Sequence, residues 1–127
     1  MRGMKTDIQN ETVRDEFEDR TQAIRNGDPV TRIVVVADEY AGLMVSHSER
    51  AEPLLAKMLV LGRTAGVHFI FASQRPDEVV MSPTLRCGFP GRIAFKVAFE
   101  EDSCIVPREL YHHLDFGTGF YTTTDFE

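Results

Sequence analysis

Apolar residues are thinly spaced at the start of the chain. Between Met4 and Arg25, Ile8, Val13, Phe17 and Ile24 punctuate charged sequence. That spacing predicts a surface helix with a weak apolar stripe, or a frayed extension. Asn26-Gly27-Asp28-Pro29 is a turn cluster and a boundary. From Thr31 the texture changes. Arg32-Ile33-Val34-Val35-Val36-Ala37 is a continuous β-branched run, the mark of a strand buried on both faces. Leu54, Leu55, Met58, Leu59 and Leu61 recur at helical spacing, predicting a helix from about Ala51 to Ala65. Pro53 fits it in the first turn, where its missing N–H has no partner anyway, and Gly66 supplies the stop. Val67-His68-Phe69-Ile70-Phe71-Ala72 predicts a second buried strand, and Arg92-Ile93-Ala94-Phe95-Lys96-Val97 a third after an irregular stretch. Helical turns are expected over Glu100–Val106 and Arg108–Leu114, with a last strand at Gly119–Thr123. Strand, helix, strand, crossover and strand describe an α/β fold with a mainly parallel sheet and flanking helices.

Composition narrows the classes. The 127 residues suit one domain. With 14 Lys+Arg against 20 Asp+Glu, a net charge of -6 argues against tight, sequence-independent nucleic-acid binding by the isolated chain, though a local basic patch remains compatible. No apolar run approaches a membrane span, the first residues lead into charged sequence and not an apolar signal segment, and two cysteines are too few for a disulfide framework. A cytoplasmic location is expected.

The informative feature is Ile33-Val34-Val35-Val36-Ala37-Asp38-Glu39, an apolar strand running into two carboxylates, which is the Walker B pattern. Asp38 would lie at the carboxyl edge of a parallel sheet, where ligands of open α/β folds bind. In P-loop NTPases such an Asp holds the magnesium ion bridging the terminal phosphates. Glu39 would orient or deprotonate the attacking water. The plainer reading is a strand end that caps the next helix. After the second strand comes Ser73-Gln74-Arg75-Pro76. The Gln74 amide can accept from water and donate to a phosphate oxygen, or simply bond a nearby loop.

Here the residues carry a family resemblance. Arg32 to Met44 resembles the Walker B segment of the FtsK/SpoIIIE DNA-translocase family. Leu61 to Pro76 resembles its helix–strand–Gln-Arg-Pro block. Phe89-Pro90-Gly91-Arg92-Ile93-Ala94-Phe95-Lys96-Val97 and then Asp102-Ser103 continue the match in order. The resemblance covers about Thr31 to Tyr121 and implies a partial RecA-like P-loop NTPase fold. Residues 1–28 are then a charged helical extension, and 29–127 the C-terminal half of the motor domain. It implies a hexameric motor that pumps double-stranded DNA with ATP and Mg2+. Asp38 would be at the metal, Glu39 the catalytic carboxylate and Gln74 the γ-phosphate sensor. Arg92, where family motors carry an Arg, would be a finger reaching a neighbouring subunit's nucleotide; its plainer reading is a strand-end Arg paired with a surface carboxylate.

The phosphate loop itself is missing. A Walker A loop needs Gly-Lys-Ser/Thr, and Lys5, Lys57 and Lys96 follow Met4, Ala56 and Phe95. The family carries that loop upstream of Walker B, where this chain has its charged segment. Weak ATP binding and no measurable ATPase activity are expected of the chain alone. A fragment or split gene needing a P-loop-bearing partner, a relic kept as an interaction module, and a contribution in trans at a subunit interface all fit; a truncated motor is favoured because the catalytic edge looks intact. The shared blocks also suit a secretion or conjugation ATPase, and a non-hydrolysing module docking on a full-length motor is the reading from another class. Cys104 replaces the family's Arg after Asp-Ser, and Asp115-Phe116-Gly117-Thr118 replaces its Gly-x-Gly-Asp.

The remaining candidates favour structural roles. Arg63 and Arg75 suit solvated ion pairs. Cys87, Cys104, His112 and His113 lack the close spacing of zinc ligands. His68 is expected in the core, and Phe69, Phe71, Phe95 and Phe99 at strand spacing are expected to pack there.

Overall fold

A computed structural model describes residues 2–105, 111–115 and 117–123. The charged opening forms one helix, α1 (Arg2–Asn26). Val13 and Phe17 turn inward onto Met58, Leu61 and Ala65, while Ile24 near its end stays exposed. Arg20 ties the helix down further, donating to the Ala65 and Thr31 carbonyls. A thin stripe thus suffices to dock it, because Phe17 alone brings a large apolar area to the contact.

The β-branched run is strand β1 (Ile33–Ala37) and the later aromatic run is β2 (Val67–Phe71). They pair in parallel, Ile33 opposite Val67 and Ala37 opposite Phe71. Helix α2 (Ala41–Ala65) makes the crossover. It starts ten residues before the expected Ala51, directly after the acidic pair, and breaks at His47 (φ -143°, ψ 25°). Pro53 therefore falls in the second turn beyond that break and not in a first turn; there it removes the N–H that would bond Glu49. Gly66 closes the helix as expected, at φ 69° with its N–H on the Gly62 carbonyl.

The expectation of strands buried on both faces fails. Val35, Ala37, Val67, Phe69 and Phe71 pack under α1 and α2. The opposite face, however, leaves Val34 56%, Val36 66% and Ile70 57% exposed. His68 lies on this open face, close to Arg32 at 3.4 Å, and is not a core residue. One helical layer covers one face only, so the second set of β-branched side chains has no partner among the described residues.

Helix α3 (Pro83–Cys87) follows, started by Ser82 accepting from the Leu85 N–H. Strand β3 (Gly91–Phe95) pairs antiparallel with β4 (Gly119–Thr123). The α/β class with parallel pairing holds in β1 and β2, whereas β3 and β4 make a separate two-stranded sheet. Phe95 and Phe99, expected in the core, are 62% and 64% exposed. Phe95 is on the strand face opposite the buried Ala94, so the alternation that seats Ala94 turns Phe95 outward. Glu100–Asp102 is a single 3-10 turn; of the turn expected over Arg108–Leu114, residues 111–114 close with the Leu114 N–H on the Tyr111 carbonyl, and residues 108–110 lie outside the described residues.

Candidate active site at the carboxyl edge of the parallel strands

β1 and β2 end side by side, which brings Asp38-Glu39 next to Ser73-Gln74. The backbone locks this edge first: Ala72 N–H donates to the Ala37 carbonyl at 2.8 Å, and Tyr40 N–H to the Ala72 carbonyl at 3.2 Å. Glu39 then bridges the two strand ends. Its Oε1 accepts from Ser73 Oγ at 2.7 Å and from the Ala41 N–H at 3.2 Å, while Oε2 accepts from the Gln74 N–H at 3.1 Å. These donors, the Ser73 hydroxyl foremost, hold the Glu39 carboxyl below its ordinary value by stabilising the charged form. The carboxylate therefore both bonds the first turn of α2, as the plainer reading expects, and orders the neighbouring strand end.

Asp38 stands exposed on the same rim. Among the described residues no group of three or more His, Cys, Asp or Glu side chains could hold a metal ion. Asp38 is thus a single carboxylate donor, which suits an ion that keeps most of its waters and takes other oxygens from phosphate. Gln74 has an exposed side chain beside Glu39. Ser73 was missed by sequence reasoning as a functional candidate. Its signal was its place one residue before Gln74, at the tip of the strand paired with β1.

Arg92 is not brought to this rim. It opens β3, and its guanidinium donates to the Phe89 carbonyl at 3.1 Å and the Arg86 carbonyl at 3.0 Å. It binds backbone carbonyls in and just after α3, where a surface carboxylate was the plainer expectation. Arg75 is held by Asp77 at 2.9 Å and Asp102 at 3.6 Å, and Asp77 in turn accepts from the Val79 and Val80 N–H groups. This chain of contacts leaves the rim through Ser73, whose Oγ also accepts from the Arg75 N–H. Below the rim Tyr40 is buried with Met44, Val80, Met81 and Leu85. Burial pushes its phenol well up.

The model of the FtsK/SpoIIIE family matches residues 12–78, which include α1's second half, the acidic pair and Gln74. The DNA translocase FtsK of Bradyrhizobium diazoefficiens is 33% identical over 109 residues, covering 86% of this chain. The chain belongs to the FtsK/SpoIIIE family. Another FtsK/SpoIIIE relative, the DNA translocase FtsK of Treponema pallidum, is 35% identical over 82 residues. This chain spans 13% of the first relative's length and 10% of the second's. Solved P-loop ATPase structures share the fold. The pCW3 conjugation coupling protein TcpA, in a monomer form with ATPγS, aligns over 95% of this chain and 42% of its own at TM-score 0.74 and 22% identity. The cytoplasmic domain of the type VII secretion ATPase EccC of Thermomonospora curvata aligns over 94% of this chain and 16% of its own at TM-score 0.68 and 22% identity. No helix among the described residues is long and apolar enough to cross a membrane.

Proposed function

We propose that this chain supplies the Walker B and sensor half of a cytoplasmic, ATP-driven motor that translocates double-stranded DNA, and that it needs a phosphate loop from outside these 127 residues. The observation that carries this reading is the bridge from Glu39 to Ser73 and Gln74 across two parallel strand ends. It fixes a carboxylate beside the strand end that carries the Gln74 amide side chain, groups suited to orienting water and contacting phosphate. Asp38 would hold Mg2+, which supplies charge neutralisation on the terminal phosphates when bound. Glu39 would accept a proton from the attacking water, and Gln74 would donate its amide to a γ-phosphate oxygen. The DNA-translocase relatives favour DNA as the cargo, with a hexamer of complete motors as the working assembly.

None of the three lysines follows a glycine, so the chain alone has no Walker A lysine to reach the phosphates. The purified chain is expected to show no measurable ATP turnover. Mixed with a P-loop-bearing motor polypeptide, it is expected to give magnesium-dependent turnover that disappears with Glu39→Gln. Stable complex formation with partner turnover indifferent to that substitution would make the chain a non-hydrolysing docking module instead.

A further inference from the structure

We infer that Arg75 is a positioning residue for the rim: clamped between Asp77 and Asp102, it fixes the two-residue span that carries the Ser73 hydroxyl and the Gln74 amide. Its effect on turnover rests on the reading of this rim as a hydrolytic edge; the clamp itself does not. Ser73 and Gln74 belong to no helix or strand. They line a cleft between the ends of β2 and β3, opposite Ile93 and Phe95. Both ends of the span are nevertheless held. On one side Ala72 is tied to the β1 end through its N–H and its carbonyl. On the other, Arg75 Nη2 reaches Asp77 Oδ2 at 2.9 Å and Nε reaches Asp102 Oδ1 at 3.6 Å. The Arg75 N–H donates to Ser73 Oγ, the same hydroxyl that donates to Glu39. Freeing Arg75 therefore frees the group that holds the carboxylate.

Arg75 is itself exposed, and an ion pair between two mobile surface side chains orders little. Asp77 changes that. It is 8% exposed, and its Oδ1 already accepts from the Val79 and Val80 N–H groups. One end of the pair is thus immobile before the guanidinium arrives. A buried carboxylate also needs a partner for its charge, which Arg75 supplies. The Cys104 N–H, on the Pro76 carbonyl at 2.9 Å, ties the same turn to the segment after the 3-10 turn. A guanidinium fork can serve two carboxylates at once, whereas an ammonium is a single point charge. Arginine at this position therefore links the tip of β2 to the 3-10 turn that follows β3, and holds the rim from outside it.

The full chain is compared with Arg75→Met, Arg75→Lys and Asp77→Asn by NMR, reading solvent exchange of the N–H groups of residues 74 and 75 against those of β1 and β2. Arg75→Met is expected to speed exchange at both positions about fivefold, the worth of one hydrogen bond, with the two strands unchanged. Asp77→Asn keeps an acceptor for Val79 and Val80 but loses the charge, and is expected to match it. Arg75→Lys keeps the closer pair and should recover most of the protection. Unchanged exchange at residue 74 in Arg75→Met overturns the clamp. So does faster exchange spread equally through β1 and β2, the mark of general destabilisation. Turnover is measured separately, in the mixture with a P-loop-bearing motor polypeptide. There Arg75→Met is expected to lower kcat about tenfold with KM for ATP unchanged, as loss of positioning does. A higher KM at unchanged kcat overturns the positioning role. A parent mixture without turnover removes the motor reading, and the exchange result then decides the clamp by itself.

Discussion

The two ends of β2 treat their polar groups in opposite ways. At the amino end they serve the fold. Gly62 lets α2 approach the strand so closely that an added Cβ would sit 2.9 Å from both the Phe69 ring and the Val67 carbonyl oxygen. Arg20 and, across the cleft on β3, Arg92 spend their guanidinium groups on backbone carbonyls. At the carboxyl end the side chains bond to one another and still face solvent: Glu39 bridges to Ser73, and Asp38 and Gln74 stand exposed beside it. Substitutions at the amino end should therefore act on stability alone, and those at the carboxyl end chiefly on chemistry, with only a small, pH-dependent effect on stability.

Glu39→Gln gives the sharpest test of that division. In the mixture with a P-loop-bearing partner, turnover is expected to fall by about 10²–10⁴, the usual worth of a positioned general base. Nucleotide binding should persist, because the amide keeps the shape and some of the bonds to Ser73 and Ala41. Equal loss of binding and turnover would move Glu39 from chemistry to structure and erase the contrast.

Gly62→Ala comes next, at the other end. In an open helix the change gains up to about 1 kcal/mol from propensity. Here the methyl meets a backbone oxygen, and overpacking of this kind costs about 1–3 kcal/mol. The clash outweighs the propensity gain, so denaturant unfolding should show net destabilisation of about 1–2 kcal/mol. A stabilised variant would mean that α2 and β2 have room to part. Arg92→Ala should cost somewhat less, about 1 kcal/mol, from two partly buried hydrogen bonds to carbonyls, read as a lower thermal midpoint.

Much of this division was legible in the sequence, and the failures have physical causes. The parallel pair, Gly66 as the stop of α2 and the last strand follow from runs of β-branched residues and one glycine, all local signals. The place of the acidic pair at the end of β1 was legible because an apolar strand ending in Asp38-Glu39 is a pattern in itself. Burial was not. A run such as Val34-Val35-Val36 states that both faces want cover but cannot state that only one face is covered within these residues. The same limit misplaced His68, Phe95 and Phe99. The early start of α2 escaped because Ala41 to Arg50 carries little periodic apolar signal, and Ser73 escaped because a lone hydroxyl becomes informative only when a strand register brings it to Glu39.

Ser73→Ala is the smallest effect expected and the one that probes the bridge itself. In the folded chain the Glu39 carboxyl lies below its ordinary 4.5, first through the Ser73 hydroxyl and then through the Gln74 N–H. The unfolded chain thus takes up this proton first as the pH falls, and the bridge's contribution to stability is present above about 4.5 and lost as pH drops through the lower folded value. Removing the hydroxyl raises the folded value toward the unfolded one. The variant should therefore melt below the parent at neutral pH, with the gap closing as the solution is acidified past 4.5. A gap that stayed constant across pH would mean that Ser73 contributes packing alone. The charged bridge joining the two strand ends would then be dispensable, and the carboxyl end would resemble the amino end after all.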